Sequence, residues 1–361
     1  MKILFIIHAV TGGGAERVMA TLINEYASKG NSVSLLTDTS TSFAYNIHPN
    51  VHLFDLTKDV YKIESVGVWK ICQKIRKLYN IRKTVNIVKP DVVISFICEL
   101  NCEVIFSLLF KKVPIICSEH INVNHKFPSH YLLMRNILYP FASAITVLTK
   151  HDYKLWKNKF NNVVYMPNPI NIGFVSRKER KNNIIAVGRL SAWTQKGFDN
   201  LILCWSKLCH KYSDWHLQII GDGDSTSVSY LQKLANDANC KNLDLLGFRR
   251  DVKEIMEESA IFCLSSRYEG LPMVLIEAME AGCCCVAYDC ETGPNEIIIN
   301  NKNGLLVKNQ DKEDLIRNLE NVMSDSFLRK SLSDSAPAAV KRYSTERIVN
   351  RWNILVNKLT K

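Results

Sequence analysis

Short apolar runs alternate with helix-length amphipathic stretches along nearly the whole chain. In the first half the runs Ile3–His8, Val33–Thr37, Val51–Leu56, Val92–Phe96, Ile115–Ser118 and Ile145–Leu148 predict strands. In the second half Ile184–Val187, Leu217–Gly221, Leu243–Leu246, Ile261–Ser265, Cys284–Tyr288 and Leu305–Val307 do the same. Short apolar strands divided by helices imply parallel sheets covered on both faces. The pattern therefore predicts an α/β fold of two doubly wound parallel sheets. Ligands of such sheets settle at the carboxyl ends of the strands, so the chemistry is sought just after each run.

A chain of 361 residues suits two domains better than one. Met166-Pro-Asn-Pro-Ile170, followed by the charged, apolar-poor run 176–183, is the best linker, and it divides the chain into 1–168 and 169–343. No apolar run approaches the ~20 residues of a membrane span. Lys2–His8 is too short for a secretory leader and reads as a first strand, which implies a cytoplasmic protein.

One strand end is richer than the rest. After the apolar run 260–266 comes Arg267-Tyr-Glu-Gly-Leu-Pro-Met-Val-Leu-Ile-Glu277, leading to Gly282. Pro272 suits the first position of a helix and Gly282 its end. The free N–H groups of a helix start attract phosphate. Glu269 stands in the turn, and Glu277 lies about five residues, or roughly 7.5 Å, along the helix. Carboxylates accept hydrogen bonds from hydroxyls, so the segment is a candidate cradle for a sugar nucleotide. Spacing alone equally allows a solvated Glu269 and a Glu277 on the polar face of a packed helix.

Glu269 and Glu277, seven residues apart in the count between them, with Gly-x-Pro after the first, resemble the motif of family 4 of the retaining glycosyltransferases. That resemblance implies the GT-B fold, two Rossmann-like domains facing across a cleft. It also implies a nucleoside diphosphate sugar donor, with Glu277 on the ribose hydroxyls and Glu269 beside the donor sugar. The backbone of Gly270 and Leu271 would meet the sugar and diphosphate.

Further motifs follow other strands. Val187-Gly-Arg-Leu190 and Gln195-Lys-Gly-Phe198 put an Arg fork and a Lys point charge seven residues apart at a strand-to-helix junction. They are similar to the family's diphosphate grip, which makes Arg189 and Lys196 the cations that stabilise the leaving nucleoside diphosphate. Phe248, after the third strand of the second half, matches a position flanking the base. Gly221-Asp-Gly-Asp224 contains Asp-x-Asp, yet it resembles a family turn, and no metal or other cofactor is expected. In the first half, Thr11-Gly-Gly-Gly-Ala-Glu-Arg17 opens a helix as a phosphate-friendly loop. The dinucleotide fingerprint fails in it at Arg17. By resemblance Gly13 and Gly14 lie over the donor diphosphate, and His120, in Ser118-Glu-His120, serves the donor sugar and the reacting centre. Glu119 has no assigned role. The segment from Ser344 resembles the terminal GT-B helix that returns to the first domain, expected as 344–361.

The net charge of +11 gathers in Lys70, Lys74, Arg76, Lys77, Arg82, Lys83 and Lys89. Ile71, Ile75, Leu78, Val85 and Val88 recur at helical spacing in the same segment. Two uses stay open: a core-packed helix with a solvated basic face, or docking on an anionic membrane surface helped by Lys111 and Lys112. Nucleic acid is disfavoured, since no aromatic-interleaved basic motif occurs. The twelve cysteines include no C-x-x-C pair and sit mostly in apolar runs, as reduced thiols do. The resemblance implies a UDP-hexose or UDP-N-acetylhexosamine as donor. It points to a lipid-linked, polyprenyl diphosphate glycan as acceptor, and to O-antigen or capsule assembly at the inner membrane face. Asp38, ending the second strand, keeps a nicotinamide oxidoreductase in view, and a non-catalytic membrane-surface protein or a sugar-nucleotide epimerase are further alternatives.

Overall fold

The computed structural model describes residues 1–58, 68–120, 128–173 and 179–361. It contains two compact units, Met1–Pro169 with Thr345–Lys361, and Ile170–Ser344. Residues 176–178 of the expected linker lie outside the described residues.

Unit 1 holds a sheet of β1 (Lys2–Ile6), β2 (Ser32–Thr37), β3 (His52–Asp55), β4 (Val92–Phe96), β5 (Ile115–Ser118), β6 (Ala144–Val147) and β7 (Val163–Tyr165). Their spatial order is β3-β2-β1-β4-β5-β6-β7, all parallel. The two-residue period of the strands divides the core. Ile3, Phe5, Val33, Leu35, Val92 and Ile94 face the helix Gly14–Ser28 and the last helix, Thr345–Thr360, whose Ile348, Val349, Trp352 and Val356 are buried there. Leu4, Ile6, Val93, Cys117 and Ile145 face the helices Val68–Val88 and Cys98–Ser107 and the end of Ser129–Leu138.

Unit 2 holds β8 (Lys181–Val187), β9 (His216–Ile220), β10 (Leu243–Gly247), β11 (Ser259–Leu264), β12 (Cys284–Tyr288) and β13 (Leu305–Val307), in the order β10-β9-β8-β11-β12-β13 and again all parallel. Each sheet reverses its strand order once, between β1 and β4 and between β8 and β11. These are the switch points at which open α/β sheets bind ligands.

Two expectations need correction. β7 escapes the hydrophobic pattern: Val163-Val164-Tyr165 is a three-residue edge strand with one buried side chain, against two in β13, the equally short edge strand that the pattern does reveal. In the basic helix, Ile71 and Ile75 are both 60% exposed rather than packed. Among its described side chains, those of the second half reach the sheet, burying Asn80, Ile81, Thr84 and Val85. The side chain of Lys70 lies outside the described residues.

Candidate functional site

The switch point of unit 2 is assembled by close backbone approaches. Gly188 N donates to Ile220 O at 2.9 Å, and Leu190 N to Asp222 O at 2.6 Å. Gly221 sits so tightly beneath them that a Cβ there would lie 1.8 Å from Gly188 O. Arg189 is thereby fixed at the end of β8 with its side chain exposed. The chain then turns through Gly197, whose φ of +66° and distance of 2.0 Å from an added Cβ to Ser265 O admit no side chain. Ser265 Oγ donates to Lys196 O at 2.8 Å, which pins this turn to the end of β11.

Lys196 Nζ consequently reaches Glu269 Oε1 at 2.8 Å, and Ser266 Oγ donates to the same oxygen at 2.7 Å. Both members of the ion pair are largely covered, their side chains 19% and 9% exposed. The loop after Glu269 is held from a second direction: Thr292 Oγ1 donates to Glu269 O at 2.5 Å, and Gly293 packs on Gly270 O and Pro272. The helix Met273–Glu280 follows, with Pro272 as its cap rather than its first residue. Among the described residues, no hydrogen bond is donated by the N–H of Gly270, Leu271, Met273 or Val274. Four amides at the positive end of a helix thus stand beside the Lys196–Glu269 pair, an arrangement suited to an anion. Glu277 is half-buried on the same helix, and Phe248, 68% exposed, follows β10.

Two acidic side chains nearby have other duties. Asp199 holds Arg267 through a fork of 2.9 and 2.7 Å, so the first residue of the glutamate motif is a buttress for the loop. Asp224 caps the helix Ser225–Asp237, accepting from Ser227 N at 2.8 Å, and that amide holds its carboxyl below the usual range. The Asp-x-Asp of the sequence is therefore a turn and a cap.

Unit 1 carries the remaining candidates. Gly12 and Gly13 donate their amides to Glu16 Oε2 at 2.6 and 3.1 Å, so the glycine loop already holds a carboxylate where a phosphate was expected. Gly14 opens the helix and is exposed. Asp38 accepts from Ser40 and Thr57, its strand-closing role. His120, at the end of β5, stacks on Phe96 with ring centroids 5.3 Å apart. Its Nε2 lies 3.0 Å from Ser118 Oγ, which itself accepts from Thr146 Oγ1 at 2.9 Å. Nε2 accepts from that hydroxyl or donates to it according to the tautomer, which leaves Nδ1 for another group. That atom is buried and without a partner among the described residues. Burial pushes His120 down to about 3, so the ring is neutral. Glu119 turns the other way, into the interior, where it accepts from Asn101 Nδ2 at 2.9 Å and from Tyr139.

Two family models match in succession, Glycosyltransferase Family 4 over residues 12–174 and Glycosyl transferases group 1 over 170–339. The chain belongs to the family 4 glycosyltransferases. This glycosyltransferase is 29% identical over 362 residues to the Campylobacter jejuni "GalNAc-alpha-(1->4)-GalNAc-alpha-(1->3)-diNAcBac-PP-undecaprenol alpha-1,4-N-acetyl-D-galactosaminyltransferase", covering 99% of this chain and 98% of that one. It is 28% identical to an amylovoran biosynthesis glycosyltransferase of Erwinia amylovora, with 99% of each chain covered. Its fold matches an Anabaena protein solved with UDP and glucose at a TM-score of 0.80 and 16% identity, covering 99% of this chain and 100% of that one. The glycosyltransferase is thus a transferase of GT-B fold.

Within unit 2 the structure brings together Arg189, Lys196, Glu269, Gly270 and Leu271 around one pair of strand ends, with Glu277 on the helix leading away. His120, Gly13 and Gly14 belong to unit 1. Ser266, Thr292, Asp199 and Glu16 were missed in the sequence. Only Glu16 had a local signal, an acid at the third position of a helix opened by glycine.

Proposed function

We propose that this glycosyltransferase moves a hexose or N-acetylhexosamine from a UDP-sugar to a polyprenyl diphosphate-linked glycan, with retention of configuration. The observation that carries the reading is the convergence of Arg189, Lys196 and four undonated amides on the ends of β8 and β11. Charge grows on the departing UDP in the transition state, and preorganised cations and amides stabilise it most where water is excluded. Arg189 grips the diphosphate, Lys196 shares its charge between phosphate and Glu269, and Glu277 takes the ribose hydroxyls. Phe248 flanks the base.

Retention accords with the state of Glu269. Its Oε1 already accepts from Lys196 and Ser266, which makes the carboxylate a poor nucleophile and a good anchor for a sugar hydroxyl. Front-face attack, in which the leaving phosphate takes the acceptor proton, needs no enzyme nucleophile. His120 supplies a neutral, hydrogen-bonding ring for the sugar. No metal or other cofactor enters this scheme. The acceptor class is supported by the undecaprenol acceptor in the Campylobacter relative's name. With the basic first half, it favours work at the anionic inner face of the membrane, in O-antigen, capsule or related glycan assembly.

A thermal-shift screen of UDP-, GDP- and dTDP-sugars tests the donor, with a reproducible shift expected from a UDP-sugar and removed by Arg189→Ala. A response confined to a nicotinamide dinucleotide would overturn the reading. NMR of the product's anomeric proton tests retention, and an inverted linkage would remove it.

A further inference from the structure

The helix Ser129–Leu138 is packed inside out. Arg135 is buried, while Leu133, Met134 and Ile137 face solvent. Leu133 is 62% exposed, Phe141 just beyond it 63%, and Phe110, on the neighbouring turn, 99%. Phe106 is exposed on the helix Cys98–Ser107. Phe110 and Phe141 line one groove with Lys111 and Lys112, so these apolar groups are neighbours and not scattered singles. The helix Cys98–Ser107 packs between Ser129–Leu138 and Val68–Val88. The last of these exposes Ile71, Ile75 and Tyr79 among Lys74, Arg76, Arg82 and Lys83. A soluble surface seldom keeps such a patch without a use.

The charge around the patch is of one sign. No Asp or Glu occurs in 68–88, 104–118 or 120–151, and the helix Cys98–Ser107 carries two, Glu99 and Glu103. Glu103 is paired with Lys77 at 2.5 Å. A second groove continues from Lys111 and Lys112 to Lys89; its one acid, Asp91, accepts from Lys2 N at 2.8 Å. Apolar side chains rimmed by an excess of lysines and arginines complement an anionic bilayer, whose headgroups meet the cations while the acyl boundary takes the apolar groups.

We infer that this three-helix face of unit 1 is a membrane-insertion surface, in which Phe110, Leu133, Ile137 and Phe141 enter an anionic bilayer while Lys111, Lys112 and the basic helix bind its headgroups. The inference rests on the membrane-surface reading of the acceptor and adds to it the mode and the residues. Docking is by insertion, not by charge alone, so part of it survives salt that screens the lysines.

Flotation of the full chain with phosphatidylcholine vesicles, with and without about 30% phosphatidylglycerol, tests this. Binding to the anionic vesicles is expected, and a fraction should persist in about 0.5 M salt. Phe110→Ser with Leu133→Ser should lower partitioning by roughly tenfold per side chain and abolish the salt-resistant fraction. Lys111→Gln with Lys112→Gln should weaken binding at low salt only. The same variants, screened by thermal shift with UDP, should keep the wild-type response, which shows that they fold and separates this inference from the donor reading. Unchanged flotation of Phe110→Ser with Leu133→Ser would overturn the inference. So would a wild-type dimer in solution that this variant splits without any vesicle binding.

Discussion

The switch points of the two units share a topology and differ in electrostatics. At the ends of β8 and β11, unit 2 presents Arg189, Lys196 and undonated amides beside a largely covered carboxylate. At the strand ends of unit 1 the polar groups have already settled with one another. Glu16 fills the glycine loop, Asp38 holds Ser40 and Thr57, and His120 is neutral. His8, ending β1, is pushed down to about 4 by burial and by Lys77 at 3.2 Å, against the opposing pull of Glu103. One switch point is open to a charged ligand, whereas the other offers hydrogen bonds and shape. A parallel sheet with helices on both faces dictates where a ligand sits, and the side chains after each strand decide its charge.

The largest effect expected breaks the charged half of this contrast. Arg189→Ala should reduce kcat/KM by about 10²–10³-fold, the cost of removing one preorganised donor from a developing anion. Steady-state kinetics with the donor found by screening will measure it, and a loss under tenfold would argue against the role. Next comes Gly197→Ala, which adds a Cβ 2.0 Å from Ser265 O at a φ of +66°. A loss of at least about 3 kcal/mol in stability is expected, read from denaturant unfolding.

A third test sharpens the neutral half. In the folded protein His8 and His120 stay unprotonated at pH values where an unfolded histidine, with its ordinary value of 6.5, takes a proton. The unfolded state then binds more protons, so stability should be intact above pH 6.5 and fall as the pH drops from there toward 4 for His8 and 3 for His120. His8→Gln should flatten part of that slope in urea titrations at several pH values. The smallest effect is assigned to Thr292→Val, which removes the hydroxyl that holds Glu269 O. A rise in donor KM of roughly fivefold with an unchanged pH profile is expected.

Much of this was legible in the sequence, for reasons that particular residues make clear. Most strands announce themselves because burial on both faces demands an apolar run, and the half-exposed edge strands β3 and β10 keep enough apolar residues to be read, whereas β7, with one buried side chain, does not. The cations and glutamates of unit 2 sit next to strand ends, where position itself implies exposure to ligand. The pairings were not legible. Lys196 and Glu269 are 73 positions apart, and Asp199 and Arg267 68, so no local period reports them. The glycine loop read as an empty phosphate cradle because spacing cannot say that Glu16 will fold back on it. The basic helix misled in another way. Its period was right, but which half of it meets the sheet is a tertiary fact.

The central claim is that the donor's diphosphate is gripped in unit 2 by Arg189 and Lys196. Isothermal titration of UDP into wild type, Arg189→Ala and His120→Asn tests it most directly. The account predicts a Kd raised about ten- to a hundredfold in Arg189→Ala and changed less than about threefold in His120→Asn. Equal affinity of Arg189→Ala and wild type would contradict it.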